Sequence, residues 1–413
     1  MELHKIEAVL KVTERCNINC TYCYMFNKES SLYQEKPKQI SADTAESVAR
    51  FLATSARETG ASVVRVIFHG GEPMMLRVQE FDAICAMLNT HISPFARTEF
   101  SIQTNAMLVT DEWIELFSKY GINVGVSLDG DKATNDKFRI DHRGRGTYDR
   151  VMVGVKRLFD AAKQGRIAPP AVLCVIDPSH DGAKTFRHFA SEIGFKWMDF
   201  LLPIDTLDAL SPAVADKVGK YLIDVFDAWN ELGDRSISIR FFDQFYSFMT
   251  GQDRMTGMTA KTGATGAAGK TDATGKTAPA KGSRNVIITI ASDGTYGPDD
   301  TLRIVSDDLY AFDTKTDKLT SYLSHPSISA IDAANMTVPD ECHDCSWARY
   351  CVGGARNGRI VNRYSKENGF VNRSGLCAGL DEIYKILARH LIGIGYPSDL
   401  MYRRLRFQKE VHA

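Results

Sequence analysis

No stretch of the 413 residues comes near the roughly 18 consecutive apolar positions of a membrane-spanning helix, so no membrane role is expected. A dominant charge is also lacking: 50 Lys and Arg stand against 51 Asp and Glu, a net charge of −1. A protein that neutralises a phosphate backbone needs a basic surplus, so nucleic acid is not an expected partner. Met1-Glu2-Leu3-His4-Lys5 lacks the charged segment followed by an apolar one that marks a secretory signal, which makes the cytoplasm the expected compartment. Cysteine occurs nine times, an odd number and a poor basis for a disulfide framework in a chain this long. The cysteines cluster instead: Cys16, Cys20 and Cys23, then Cys342, Cys345, Cys351 and Cys377, with only Cys85 and Cys174 apart. Grouped thiols in a reducing compartment read as metal ligands.

The length implies two or three domains. Short apolar runs predict strands at Ala8–Thr13, Val63–Phe68, Glu99–Thr104, Asn123–Leu128, Ala171–Ile176 and Asp199–Leu202. Amphipathic periodicity predicts helices between them: one from a Ser41 cap, then Val78–Asn89, Asp111–Lys119, Tyr148–Lys163 and Ala183–Ile193. Strands separated by helices pair in parallel, so residues 1–205 read as α/β. Six units fall short of the eight of a closed barrel, which leaves a partial (β/α)6 barrel.

Residues 206–254 read as an aromatic-rich helical bridge. From 255 to 282 the chain is almost entirely Thr, Ala, Gly and Lys, too poor in apolar groups to offset its ordering entropy, and is expected to be a mobile surface insertion. Gly269-Lys270-Thr271 within it ends like a phosphate loop, but Ala264 stands where that motif requires Gly. A second domain is expected over 283–390. It has a strand at Asn285–Ile290, a turn at Ser292-Asp293-Gly294, a hairpin partner near Leu302–Val305 and a last helix at Leu380–Ile392. The tail 391–413, basic over Tyr402–His412, reads as a solvated end.

The run Thr13-Glu14-Arg15-Cys16-Asn17-Ile18-Asn19-Cys20-Thr21-Tyr22-Cys23 begins where the first strand ends, at the sheet edge where α/β folds place chemistry. A [4Fe–4S] cluster has four ligand positions, and CxxxCxxC fills three, so one iron stays open to a small chelating ligand. Zinc would want a fourth nearby Cys or His, which this loop does not supply. The motif resembles the radical S-adenosylmethionine (SAM) superfamily, and further residues match it in order. His69-Gly70-Gly71-Glu72-Pro73, after the second strand, looks like that family's GGEP segment, which holds the methionine amino group of SAM. The resemblance implies a SAM and cluster site formed by Tyr22, His69, Gly70, Gly71, Glu72, Asn105, Ser127, Arg139, Ile176 and Leu201. Within it Arg139 would meet the SAM carboxylate, and Ile176 and Leu201 would flank adenine.

Cys342, Cys345 and Cys351 form CxxCxxxxxC, and Cys377 follows after 25 residues. Four thiolates can close a cubane. From spacing alone a zinc ribbon stays open beside an iron–sulfur cluster, although the paired CxxC of a ribbon is missing on the second half. The radical SAM resemblance upstream favours iron–sulfur. The segment is similar to the SPASM domain of radical SAM enzymes that modify peptides, whose full form has seven cysteines and two auxiliary clusters. Here Ala355 and Asp299 stand where ligands would be, so one auxiliary cluster and two [4Fe–4S] clusters in all are expected. Asp300, next to Asp299 in Asp293-Gly294-Thr295-Tyr296-Gly297-Pro298-Asp299-Asp300, matches a proposed catalytic Asp of sulfatase-maturing relatives. A turn carboxylate that satisfies backbone N–H groups is the alternative reading.

Gly353-Gly354, Arg363, Asn368-Gly369-Phe370, Ser374 and Cys377 resemble single-auxiliary-cluster maturases that form cyclophane crosslinks in ribosomal peptides. That resemblance implies an oxidoreductase that joins an aromatic ring to a nearby β-carbon of a precursor peptide, with Asp300 as proton acceptor. A flavodoxin or ferredoxin would be the electron donor. Formylglycine formation in sulfatases is the alternative enzyme, and a non-catalytic iron–sulfur peptide binder the alternative outside catalysis. Relatives often carry a leader-peptide-binding module, for which no room is expected before Cys16.

Overall fold

A computed structural model describes residues 2–28, 32–251, 284–356 and 359–406. The expected 255–282 insertion, including the Gly269-Lys270-Thr271 decoy, lies outside the described residues. Ten strands occur among the described residues: β1 Leu3–Thr13, β2 Val63–Gly70, β3 Arg97–Thr104, β4 Asn123–Ser127, β5 Ala171–Val175, β6 Trp197–Leu201, β7 Ser238–Ile239, β8 Arg284–Ile290, β9 Thr295–Gly297 and β10 Phe312–Asp313. All six strands expected in the first half are present, and the helix Tyr148–Lys163 has the expected bounds.

The chain forms two compact units. The first comprises Met1–Ser127, Ile140–Pro170 and Ala260–Ile328. Its strands lie in the order β10-β9-β8-β1-β2-β3-β4. From β8 to β4 neighbours run parallel, and β9 is antiparallel to both β8 and β10. With β2 on one side and β8 on the other, β1 is paired along both edges and is an interior strand of the sheet. Ile6, Ala8, Leu10 and Val12 are fully buried along it, and so is Lys11. The helix Ala42–Thr59 starts where the Ser41 hydroxyl accepts from Thr44 N at 3.1 Å and stops at Gly60, whose φ of 70° suits the left-handed cap.

The hairpin after β8 differs from expectation. Gly294, at φ 91°, turns the chain at once, and the partner is β9, beginning at Thr295. Leu302–Val305 is not a strand. Asp299 accepts from Thr301 N at 3.0 Å and caps the 3₁₀ helix Asp300–Ile304, so a helical turn wins over the β-branched composition.

The second unit comprises Leu128–Arg139, Ala171–Thr259 and Ser329–Ala413. It holds β5, β6 and β7 in parallel. The expected helix Ala183–Ile193 is an α-helix, Gly182–Arg187, that continues as a π turn over His188–Ile193. Helices Pro212–Leu232 and Cys377–Gly393 touch at glycines: a Cβ on Gly219 would lie 2.5 Å from Gly379 Cα. The tail is more ordered than a solvated end. Helix Ser398–Leu405 buries Met401, and Arg349 donates to the carbonyls of Arg403, Arg404 and Arg406. Residues 407–413 lie outside the described residues. No helix among the described residues is long and apolar enough to cross a membrane.

Candidate active site

In the first unit the loop after β1 carries Cys16, Cys20 and Cys23. Asn19 N donates to Ile140 O at 2.7 Å and Cys23 N to Cys20 O at 3.0 Å, which folds the loop back on itself. The turn after β2 is stitched to the same loop. Gly71 N donates to Thr13 O and Glu72 N to Arg15 O, both at 2.9 Å. This approach needs glycine: a Cβ on Gly71 would lie 2.1 Å from Arg15 O, and one on Gly70, itself at φ 131°, 2.1 Å from Thr13 O.

Glu72 is buried, and its two oxygens are used separately. Oε1 accepts from Met74 N at 3.1 Å and Thr104 Oγ1 at 2.7 Å, and Oε2 from Asn105 N at 2.8 Å. Asn105 Nδ2 in turn donates to Asn17 Oδ1 at 2.7 Å. The ends of β2 and β3 are thereby joined to the cysteine loop. Ser127, ending β4, accepts from Gln103 Nε2 at 2.6 Å. Tyr22 sits half-buried between Cys20 and Cys23. Burial, then Glu72 and the two other thiols, pushes the Cys16 thiol far up. Burial of that kind keeps a free thiol protonated, and a bound metal reverses the preference. Three mutually close thiols on one glycine-cradled loop fit a cluster with one open iron.

Arg139, Ile176 and Leu201 belong to the second unit. Arg139 is buried with its guanidinium 3.9 Å from the Asp129 carboxylate, which accepts from Val175 N at 3.0 Å. Ile176 N donates to Leu201 O at 2.9 Å, so these two apolar residues adjoin.

Asp300 is not a turn carboxylate serving backbone N–H groups. It lies in the first unit and is nearly buried, with Lys11 Nζ 2.5 Å from its Oδ2. The Tyr24 hydroxyl donates to the same Oδ2. The fully buried Lys11 ammonium also reaches Tyr24 Oη at 2.9 Å and His69 Nδ1 at 3.3 Å. Burial alone would raise the Asp300 carboxyl, but Lys11, His69 and the two hydrogen bonds hold it well below the usual carboxylate range. Burial first, and Lys11 second, lowers His69 to about 4. Neither Lys11 nor Tyr24 was among the candidate residues. The available signal was a lone charge in the apolar run Ala8-Val9-Leu10-Lys11-Val12. Asp299 serves as the helix cap described above, its Oδ1 taking both Thr301 N and Thr301 Oγ1.

In the second unit Cys342, Cys345, Cys351 and Cys377 line one pocket, together with Gly353, Gly354 and Ser374. The chain turns sharply there: Gly353 and Gly354 have φ of 63° and 100°, and a Cβ on Gly354 would meet Ser374 Cβ at 2.4 Å. Arg363, buried, ties the surrounding loops by donating to the carbonyls of Asn372, Ala334 and Val352. Burial pushes the Cys342 and Cys351 thiols up, to about 11 and about 12. No group of three or more His, Cys, Asp or Glu among the described residues closes on a single metal ion. The fit to a cluster here rests on four thiols converging on one pocket.

Residues 10–167 match the model of the radical SAM superfamily. They are a radical SAM domain. Its cofactors are a [4Fe–4S] cluster and SAM. The chain is homologous to anaerobic sulfatase-maturating enzymes. It is 22% identical over 364 residues to the cysteine-type enzyme of Clostridium novyi, covering 85% of this chain and 87% of the relative. Its fold matches that of native anSMEcpe with bound AdoMet at a TM-score of 0.73 and 22% identity, over 94% of this chain and 99% of the other. The structure of native anSMEcpe with bound AdoMet and the Cp18Cys peptide matches at 0.71 and 21% identity, over 94% and 98%. This radical SAM enzyme is α/β with a parallel sheet and a carboxy-terminal domain.

Proposed function

We propose that this radical SAM enzyme modifies a ribosomally made peptide, closing a carbon–carbon bond between an aromatic ring and a neighbouring β-carbon. The observation that carries the reading is Asp300: a deeply placed carboxylate, held by Lys11 and Tyr24 through one oxygen only, in the unit that carries the cysteine loop and the Gly70-Gly71-Glu72 turn.

Bound at Cys16, Cys20 and Cys23, the cluster with SAM supplies hydrogen-atom abstraction from an unactivated carbon. Gly70, Gly71, Glu72, Asn105 and Ser127, all in the first unit, would bind and orient SAM. After abstraction and ring attack, the aryl C–H bond breaks. Its proton goes to Asp300, and one electron leaves to a one-electron acceptor. The Cys342, Cys345, Cys351 and Cys377 pocket would hold a second iron–sulfur cluster, whose chemistry is that one-electron transfer. A flavodoxin or ferredoxin would supply the reducing electron.

Formylglycine formation is the second reading, favoured by the similarity to the Clostridium novyi enzyme. Against it, Asp299 stands where that hairpin would carry a cluster ligand and is spent as a helix cap. Anaerobic reaction with SAM, a reductant and two peptides separates the readings. A peptide from a neighbouring reading frame should lose two hydrogens with all other atoms kept. A sulfatase-derived peptide that is instead converted at Cys or Ser would replace the crosslink by the second reading.

A further inference from the structure

We propose that Lys11 is the positioning residue of this reaction: by clamping Asp300 Oδ2 it leaves Oδ1 as the single oxygen that takes the substrate proton. The inference rests on the role given to Asp300 above.

Lysine has three N–H donors, and three oxygen or nitrogen acceptors surround Lys11 Nζ: Asp300 Oδ2 at 2.5 Å, Tyr24 Oη at 2.9 Å and His69 Nδ1 at 3.3 Å. The ammonium is fully buried, so it is held where it is only because these partners satisfy it. Both donors to the carboxylate, Lys11 and the Tyr24 hydroxyl, converge on Oδ2. Oδ1 receives neither, and the Asp300 side chain keeps 13% of its surface exposed. The carboxylate is thus anchored at one oxygen and open at the other.

Lys11 also fixes the histidine. Because an ammonium can only donate, His69 Nδ1 must accept, which puts the ring proton on Nε2. The groups that face Asp300 come from four places. They are Lys11 on β1, Tyr24 in the cysteine loop, His69 at the end of β2, and Asp299, Arg303 and Tyr310 on its own side. Among the described residues, Lys11 is the one permanent cation that contacts the carboxylate, at 2.5 Å. Removing its charge leaves Asp300 easier to protonate, so proton acceptance fails at a higher pH.

The test compares wild type, Lys11→Gln and Lys11→Met, each reconstituted and checked for iron content. Modified peptide per 5′-deoxyadenosine is measured from pH 5.5 to 8. The Gln variant keeps two donors but no charge. It should bring into this pH range an acid limb that wild type lacks, because burial, no longer opposed by a charge at contact distance, raises a carboxyl by as much as about 3–5 units. Met should do the same and lower the ratio further.

If wild type modifies no peptide, the reading of the reaction fails, and with it the premise. If wild type modifies peptide and both variants keep its ratio across this pH range, the proposal alone is overturned. Should neither variant hold its iron, Lys11 serves the folding of β1 rather than the reaction, which also overturns it.

Discussion

Lys11 Nζ and Asp300 Oδ2 meet at 2.5 Å although 289 positions separate them in the chain. The pair joins the centre of the parallel sheet to the short helix after β9. Breaking a buried pair by removing one partner leaves an uncompensated charge, which is why neither member is expected to be freely replaceable.

Asp300→Asn keeps size and shape and removes basicity. Modified peptide per 5′-deoxyadenosine should fall by roughly 10²–10⁴-fold, the usual cost of losing a general base. Asp299→Asn, which changes only the cap on Thr301, should stay within a few-fold of wild type. Liquid chromatography with mass spectrometry reads both products. Equal ratios for Asp300→Asn and wild type would make Asp300 a structural anion for Lys11.

Iron content tests the ligand assignment. Two cubanes require about eight irons per chain. Replacing Cys16, Cys20 and Cys23 together by Ala should leave about four and abolish SAM cleavage, the remaining cluster absorbing as before. Stoichiometric zinc retained in that triple variant would assign the Cys342 pocket to zinc and remove its electron-transfer role.

Gly71→Ala forces a Cβ to within 2.1 Å of Arg15 O and 2.7 Å of Cys16 N. The cysteine loop must then shift against the Glu72 turn. Misplacement on this scale costs about 10²-fold in rate, so SAM cleavage should drop by that order while the Cys342 pocket keeps its cluster. Unchanged SAM cleavage would show that the loop and the turn move independently.

The strand positions of the first half and their parallel pairing are legible because both follow from local pattern. Apolar runs of strand length stand between amphipathic stretches, and the two glycines of His69-Gly70-Gly71-Glu72 announce a close backbone approach. The Lys11 network was hidden because a lysine in a strand reads as an outward-facing residue. Its burial depends on Asp300 and Tyr24 arriving from other parts of the chain. Leu302–Val305 misled for a related reason: apolar composition suits strand or helix, and the Asp299 cap decides between them. Arg363 matched a resemblance without a role until its carbonyl partners, Asn372, Ala334 and Val352, were placed around it.

His69 gives a pH signature for folding. Its folded value of about 4 lies below the ordinary 6.5, so between these the unfolded chain binds the proton and the folded chain does not. Stability should therefore fall as pH drops from 6.5 towards 4, and His69→Gln should flatten that part of the profile. Urea midpoints at several pH values measure it. A wild-type profile no steeper than that of His69→Gln would mean that the imidazole is charged in the folded protein.

The most direct measurement is an anaerobic reaction of the iron-reconstituted chain with SAM, a reductant and the peptide encoded beside it, followed by mass spectrometry of peptide and nucleoside. The expected products are 5′-deoxyadenosine and a peptide lighter by two hydrogens, its fragments interrupted between an aromatic residue and a nearby β-carbon. A peptide returned unchanged while 5′-deoxyadenosine accumulates, or one altered only at Cys or Ser, would contradict the proposed reaction.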